Sequence, residues 1–324
     1  MLYLNENDIR RSVSFEAMMD TIEQSLRIFA KGEYVMADRL AVPGGDTTML
    51  YMPCFAGGYA GTKILASCPD NPKQGLPALS GIVLLNRADN GQILAIMDGA
   101  TITALRTGAV GGMAIRNLAD ENAHTVGLAG CGVQGVHQLA YACRVREIEK
   151  IYLYDAVHTD LSGFIARLEG MIEPMKSEII VCSSADEMLE KSEIVITATP
   201  SKKPLFSNNP ELFKGKCIIA IGSWQPDMRE LPDAIWECAD VVYTELPFAC
   251  EETGDLSQPL ELGALTEDRV KYFGDFLLEK DAGKVHKLGE TRFYKSVGMG
   301  IYDTMAAQQI YKTALERGFG QELK

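Results

Sequence analysis

The sequence predicts an α/β fold in two parts. A helix with a mostly antiparallel sheet occupies about the first third, and a parallel sheet covered by helices follows. Three observations carry that reading. Residues 81–99, GIVLLNRADNGQILAIMDG, set two apolar runs around Asp89-Asn90-Gly91, a hairpin signature. Beyond residue 124, short apolar runs alternate with helix-length stretches, as in a parallel sheet buried on both faces. Between them, TVGLAGCGVQGVHQLAYACR joins a strand to a helix through Gly130-x-Gly132-x-x-Gly135.

Taken in order, Ser14 caps a helix whose apolar positions Phe15, Met18, Met19, Ile22, Leu26 and Phe29 keep helical spacing until Gly32. Short strand-like runs follow at 39–42, 48–52 and 59–67, then the hairpin. After Asp98-Gly99, residues 100–118 read as a helix carrying Arg106 and Thr107. The runs of the parallel sheet lie at 125–129, 151–155, 178–182, 194–199, 217–222 and 241–245. Past residue 298, IYDTMAAQQIYKTALERG is a closing amphipathic helix that stops at Gly318.

The 324 residues carry 31 Lys and Arg against 44 Asp and Glu, a net charge of −13. An acidic chain without basic clusters argues against nucleic acid as a partner. No apolar run approaches the roughly 18 residues of a membrane span, and charges interrupt the amino-terminal region where a signal peptide would be apolar. The eight cysteines (54, 68, 131, 143, 182, 217, 238 and 250) form no CxxC pair and read as reduced thiols. Four dispersed histidines (124, 137, 158 and 286) offer no metal-site spacing. A soluble, cytoplasmic protein without a metal is expected.

Glycines at 130, 132 and 135 suit a dinucleotide site. They allow a tight turn and a close approach of backbone to a pyrophosphate at a helix N-terminus. The next strand ends in Asp155, twenty positions after Gly135, where a carboxylate accepts from a ribose 2′-hydroxyl. A helix cap or solvated turn is the plainer role for Asp155. Because Ala156-Val157-His158 supplies no Arg for a 2′-phosphate, NAD is favoured over NADP, although His158 could still help a phosphate bind.

With these residues in place, the chain resembles the ornithine cyclodeaminase/mu-crystallin family along nearly its whole length. The landmarks are Arg39, LYMP around Pro53, AGTK ending at Lys63, MDGATITALRTGA around Arg106, AGCGVQG, ATPSKKP from Ala198, IGSWQPDMREL from Ile221 and KSVGMGIYD from Lys295. The resemblance implies a Rossmann NAD-binding domain at 119–297. It is inserted into a mixed α+β substrate-binding and dimerisation domain formed by 1–118 and 298–324. It further implies that Arg39, Lys63 and Arg106 surround a substrate carboxylate. Thr107, Val133, Gln134, Thr199, Ser296 and Val297 then lie against the cofactor beside the three glycines and Asp155, and the protein is a homodimer. Independently, a small acid needs cationic recognition. Lys63 also sits among apolar and small residues, where desolvation lowers an amine's pKa toward proton-transfer range.

Two departures from the cyclodeaminase pattern weaken ornithine as substrate. Trp224 stands where those enzymes carry an acid/base Asp, and Leu50 replaces a Glu. Trp exchanges no proton at neutral pH, and Asp227 could substitute only in a differently folded loop. Trp224 suits an apolar wall for another side chain or, more plainly, packs between domains. The expected function is an NAD-dependent oxidoreductase of a small 2-amino or 2-imino acid, with Lys63 as proton carrier. Ornithine or lysine cyclodeamination and dinucleotide-dependent binding without turnover are the alternatives.

Overall fold

In the computed structural model, which describes residues 1–284 and 288–324, the chain divides into two compact units. One is Met1–Arg106 with Gly298–Lys324; the other is Thr107–Val297. The chain crosses between them inside the helix Gly99–Leu118 and returns between Val297 and Gly298.

The first unit is an eight-stranded sheet among the described residues, in the order Gln321–Glu322, Leu2–Leu4, Ile93–Asp98, Leu79–Arg87, Tyr59–Ser67, Thr47–Ala56 and Tyr34–Met36. Leu40–Gly44 also pairs with Thr47–Ala56. Pairing is antiparallel except where Leu2–Leu4 runs beside Ile93–Asp98. The helix Phe15–Ala30 starts at Ser14, whose side chain accepts from the Ala17 amide, and it buries Met18, Met19, Ile22 and Leu26. Gly91, at φ +73°, makes the hairpin turn that Asp89-Asn90-Gly91 announced. The closing helix Gly300–Arg317 ends in a left-handed Gly318. It packs on the strands Thr47–Ala56, Tyr59–Ser67 and Leu79–Arg87.

The second unit holds a parallel sheet of eight strands. Its order is Glu178–Val181, Lys150–Tyr154, Thr125–Ala129, Ile194–Thr197, Cys217–Ala220, Arg292–Lys295, Val242–Thr244 and Val270–Tyr272. Strand order reverses between Thr125–Ala129 and Ile194–Thr197. That switch point is where α/β sheets open a crevice at their carboxyl edge. The sequence reading anticipated six of these strands but not Val270–Tyr272 or Arg292–Lys295. Charged residues interrupt both, although Phe293, Tyr294 and Lys295 are buried.

Helix and sheet approach closely in the first unit. A Cβ at Gly61 would lie 2.2 Å from Thr304 Oγ1 and 2.9 Å from Thr304 Cα, so no side-chain rotation makes room for it. Gly61→Ala is therefore expected to destabilise the protein by about 1–3 kcal/mol. That outweighs the roughly 0.4–1 kcal/mol gained when Ala restricts the unfolded chain. A lower urea midpoint at unchanged slope would show it.

Candidate active site

Lys63 lies on the strand Tyr59–Ser67 with its side chain on the helix-covered face, between the apolar Met52 and Val83 of the flanking strands. Only 2 % of it is exposed. Its Nζ is 2.6 Å from Asp303 Oδ2, while Arg106 Nε donates to Asp303 Oδ1 at 3.1 Å. Asp303 is itself 1 % exposed and sits in the first turn of Gly300–Arg317, where the helix dipole favours a negative charge. Gly298, at φ +81°, is confined to glycine twice over, because a Cβ there would lie 2.5 Å from Arg106 Nη1. Its carbonyl accepts from Arg39 Nη2 at 3.1 Å. All three predicted carboxylate-binding cations thus belong to one unit and meet around Asp303 and Gly298.

The electrostatics are unbalanced. Burial lowers the Lys63 pKa to about 7, aided by the charge of Arg106 and more weakly of Arg39, and opposed by the charge and hydrogen bond of Asp303. Arginine does not shed its proton, so Lys63 is the cation that yields. Cys54, on the neighbouring strand, is pushed up to about 12, first by burial, and stays a thiol. Lys63 and Arg106 share the single buried carboxylate of Asp303, while Arg39 donates to the Gly298 carbonyl beside them.

The second unit builds a different site at its switch point. A Cβ on Gly130 would lie 2.6 Å from the Ala198 carbonyl oxygen, and one on Gly135 would lie 2.2 Å from that of Gly130. Gly132 begins the helix Val133–Val145 without a side-chain cap, and nothing stands within 4 Å of its missing Cβ. Uncapped amides beside open space fit a pyrophosphate. Val133 is exposed, whereas the buried Gln134 Oε1 has no hydrogen-bond partner in the protein. Asp155 serves the turn directly: its Oδ2 accepts the Cys131 amide at 2.8 Å, and its Oδ1 accepts the amides of Val157 and His158. Burial alone would raise its pKa, but these amides hold it below the usual carboxylate range. The lone pairs left on Oδ2 are what it can offer a ribose hydroxyl. The Thr107 carbonyl accepts from the buried Gln138 Nε2 at 2.7 Å.

Three carboxylates that sequence reasoning missed organise the remaining predicted residues. Glu230 is fully buried. It accepts the amide and hydroxyl of Thr199, the Thr197 hydroxyl, and the amides of Gly222 and Ser223. Asp255 accepts the amides of Glu230 and Leu231 and pairs with Lys295 at 3.1 Å. Glu245 accepts the Ser296 hydroxyl at 2.6 Å and the Val297 amide at 2.9 Å. Thr199, Ser296 and Val297 are therefore held by buried acids rather than left as free loop residues. Nothing marked Glu230 or Glu245 in the sequence. Asp303 did leave a signal, as the lone acid in the apolar first turn GIYDTMAA.

The loop after Cys217–Ala220 carries Trp224, half-exposed, above the base fixed by Glu230. Asp227 forms an exposed ion pair with Lys202 at 2.6 Å. Leu50 is buried and apolar. Among the described residues no group of three or more His, Cys, Asp or Glu could hold a metal; His286 lies outside them. No described helix is long and apolar enough to cross a membrane.

The fold and these two constellations define a two-unit α/β protein with a Rossmann-type sheet. The chain belongs to the ornithine cyclodeaminase/mu-crystallin family, whose model matches residues 2–318. It is 32 % identical over 332 residues to a Delta(1)-pyrroline-2-carboxylate reductase of Bacillus cereus, covering 100 % of both chains. Among solved structures it resembles Thermococcus litoralis Delta(1)-pyrroline-2-carboxylate reductase in complex with NADH and L-proline. That likeness has a TM-score of 0.90 at 29 % identity and covers 100 % of both chains. An archaeal alanine dehydrogenase dimer with bound NAD matches at TM-score 0.88 and 28 % identity, over 100 % of this chain and 99 % of that one.

Glu230→Gln tests the anchoring role. Backbone amides donate to both carboxylate oxygens, so either amide orientation sets an NH2 group against an N–H. A loss of about 2–4 kcal/mol in unfolding free energy is expected from denaturant titration.

Proposed function

We propose that this protein is an NAD-dependent oxidoreductase that interconverts a small cyclic 2-imino acid and its amino acid, with Δ1-pyrroline-2-carboxylate and L-proline as the first pair to test. The observation that carries the reading is the sharing of one buried carboxylate, Asp303, by the buried Lys63 and Arg106, which an incoming anion completes. A carboxylate alpha to a C=N bond supplies that anion. It also places a nitrogen needing a proton within the chemistry of a lysine whose pKa is near 7.

Arg106 and Arg39 hold the substrate carboxylate. Lys63 donates a proton to the nitrogen in reduction and accepts it in oxidation. Bound NADH supplies the hydride to the imine carbon. Gly130, Gly132, Val133, Gln134, Gly135 and Thr107 would hold the dinucleotide, with Thr199, Ser296 and Val297 on the loop ends fixed by Glu230 and Glu245. The ionised Asp155 repels a 2′-phosphate, which favours NAD over NADP. NAD or NADH in the two similar solved structures supports the same choice. Trp224 and Leu50 stand at the sequence positions where cyclodeaminases carry acids, which disfavours ornithine.

The decisive assay follows NADH oxidation with cyclic 2-imino acids and with pyruvate plus ammonia, and ammonia release from ornithine. NADH consumption with a cyclic imine supports the proposal. Turnover with pyruvate and ammonia alone would make the protein an alanine dehydrogenase. NADH binding without turnover of any substrate would favour a binding protein. Lys63→Met should bind NADH normally and lose roughly 10²–10⁴-fold in turnover. Reduction needs Lys63 protonated, so its kcat/KM should fall as pH rises through about 7; oxidation needs it neutral, so its kcat/KM should rise there.

Such an enzyme is expected in the cytoplasm as a homodimer. On the sheet face opposite Lys63, Val35, Leu40, Val42, Phe55 and Ile82 are exposed, an apolar stripe suited to a second copy. Light scattering that gives a monomer mass at working concentrations would refute the dimer.

A further inference from the structure

We infer that Asp303 is a positioning residue through which carboxylate binding and protonation of Lys63 are coupled, so that the site takes up a proton from solvent onto the Lys63 amine as the substrate anion enters. The inference rests on the carboxylate-site reading above and adds to it when the catalytic proton arrives.

Asp303 bridges the two partners that must communicate. Its Oδ2 meets Lys63 Nζ at 2.6 Å, and its Oδ1 accepts from Arg106 Nε at 3.1 Å. Every charged group described as acting on Lys63 belongs to this set: Asp303 from the helix Gly300–Arg317, Arg106 from Gly99–Leu118, and Arg39 from the segment before Leu40–Gly44. The strands on either side contribute Met52, Val83 and the neutral Cys54 thiol. Without substrate, one buried carboxylate is shared by Lys63 and Arg106, and the arginine stays charged. The least costly relief is loss of the Lys63 proton. A bound carboxylate adds a second negative charge against Arg106 and Arg39, which removes the reason for that loss.

The proton then comes from solvent together with the anion, not after it. In reduction it passes to the imine nitrogen while the carbon receives hydride, and Lys63 returns to the neutral amine. In the oxidative direction the amino acid enters as a zwitterion whose ammonium offsets its carboxylate, so Lys63 stays neutral and accepts the proton from the nitrogen, and departure of the product anion releases it.

Isothermal calorimetry on the enzyme–NADH complex tests this. The probe is tetrahydrofuran-2-carboxylate, a five-membered ring acid whose ether oxygen replaces the titrating nitrogen. Titrations in buffers of different ionisation enthalpy give the protons taken up per site. With Lys63 starting near pKa 7 and raised on binding, uptake should be large at pH 8, where the free amine is mostly neutral, and small at pH 6, where it is already mostly protonated. Lys63→Met should bind the probe with no uptake. Asp303→Asn should move the uptake profile about one unit or more to lower pH, because Lys63 loses its counter-charge. Asp303→Glu, which keeps the charge, should restore the wild-type profile. These readouts separate positioning from a merely structural role, and the wild-type and Lys63→Met measurements stand even if an Asp303 variant does not fold. Binding without uptake at pH 8, uptake that persists in Lys63→Met, or a profile unmoved in Asp303→Asn overturns the inference alone. Failure of the probe to bind at millimolar concentration overturns the carboxylate-site reading and the inference with it.

Discussion

The first unit is arranged around the burial of Lys63, Arg106 and Asp303. Taking an ammonium out of water costs several kcal/mol even after relaxation, and one carboxylate shared with a guanidinium does not fully offset that. Such an arrangement persists only where geometry holds the partners together. Here the bare Gly61 lets strand and helix approach within contact of Thr304, one residue from Asp303 and two from Lys63. Gly298 leaves room for the Arg106 guanidinium. Gly61 acts through the neighbour of Asp303 and Gly298 acts on the guanidinium directly, and together they fix where the charges sit. The N-terminal dipole of Gly300–Arg317 adds to the same field and favours the Asp303 anion.

The second unit uses its buried acids for another purpose. Beyond the carboxyl ends of parallel strands, backbone amides have no ladder partner. Glu230 gathers those of Thr199, Gly222 and Ser223, and Asp255 in turn gathers that of Glu230. Lys295 balances the pair from the strand Arg292–Lys295. Burial pushes the Glu230 carboxyl upward, while Lys295 and the Thr199 donors pull the other way. Fixed donors engage both of its oxygens. Its effect is to make the loop bearing Trp224 start from a rigid base.

Much of this was legible in advance because it depends on local pattern. Hairpin, helix caps, alternating runs and the glycine-rich turn are properties of neighbouring residues, and they fell within a residue or two of the structure. The cations at 39, 63 and 106 were legible through family resemblance, since isolated Arg and Lys residues carry no local sign of burial. Asp303, Glu230, Glu245 and Asp255 were not singled out, because their importance lies in partners far along the chain: 240 positions separate Lys63 from Asp303. The strand Arg292–Lys295 was hidden for a related reason. Lys295 looks solvated in sequence and is fully buried only because Asp255 is there to receive it.

The supply of exchangeable protons bears on which reaction these residues suit. Reducing an imine needs one proton at nitrogen per turnover. Releasing ammonia from a diamino acid needs further transfers at a second nitrogen, and a group to hold its charge. At the carboxylate cluster, Lys63 is the amine tuned near neutrality, Asp303 is committed to Lys63 and Arg106, and the Cys54 thiol lies far above working pH. Trp224 and Leu50 add no acid, and Asp227 pairs with Lys202 in solvent. One tuned amine matches one proton.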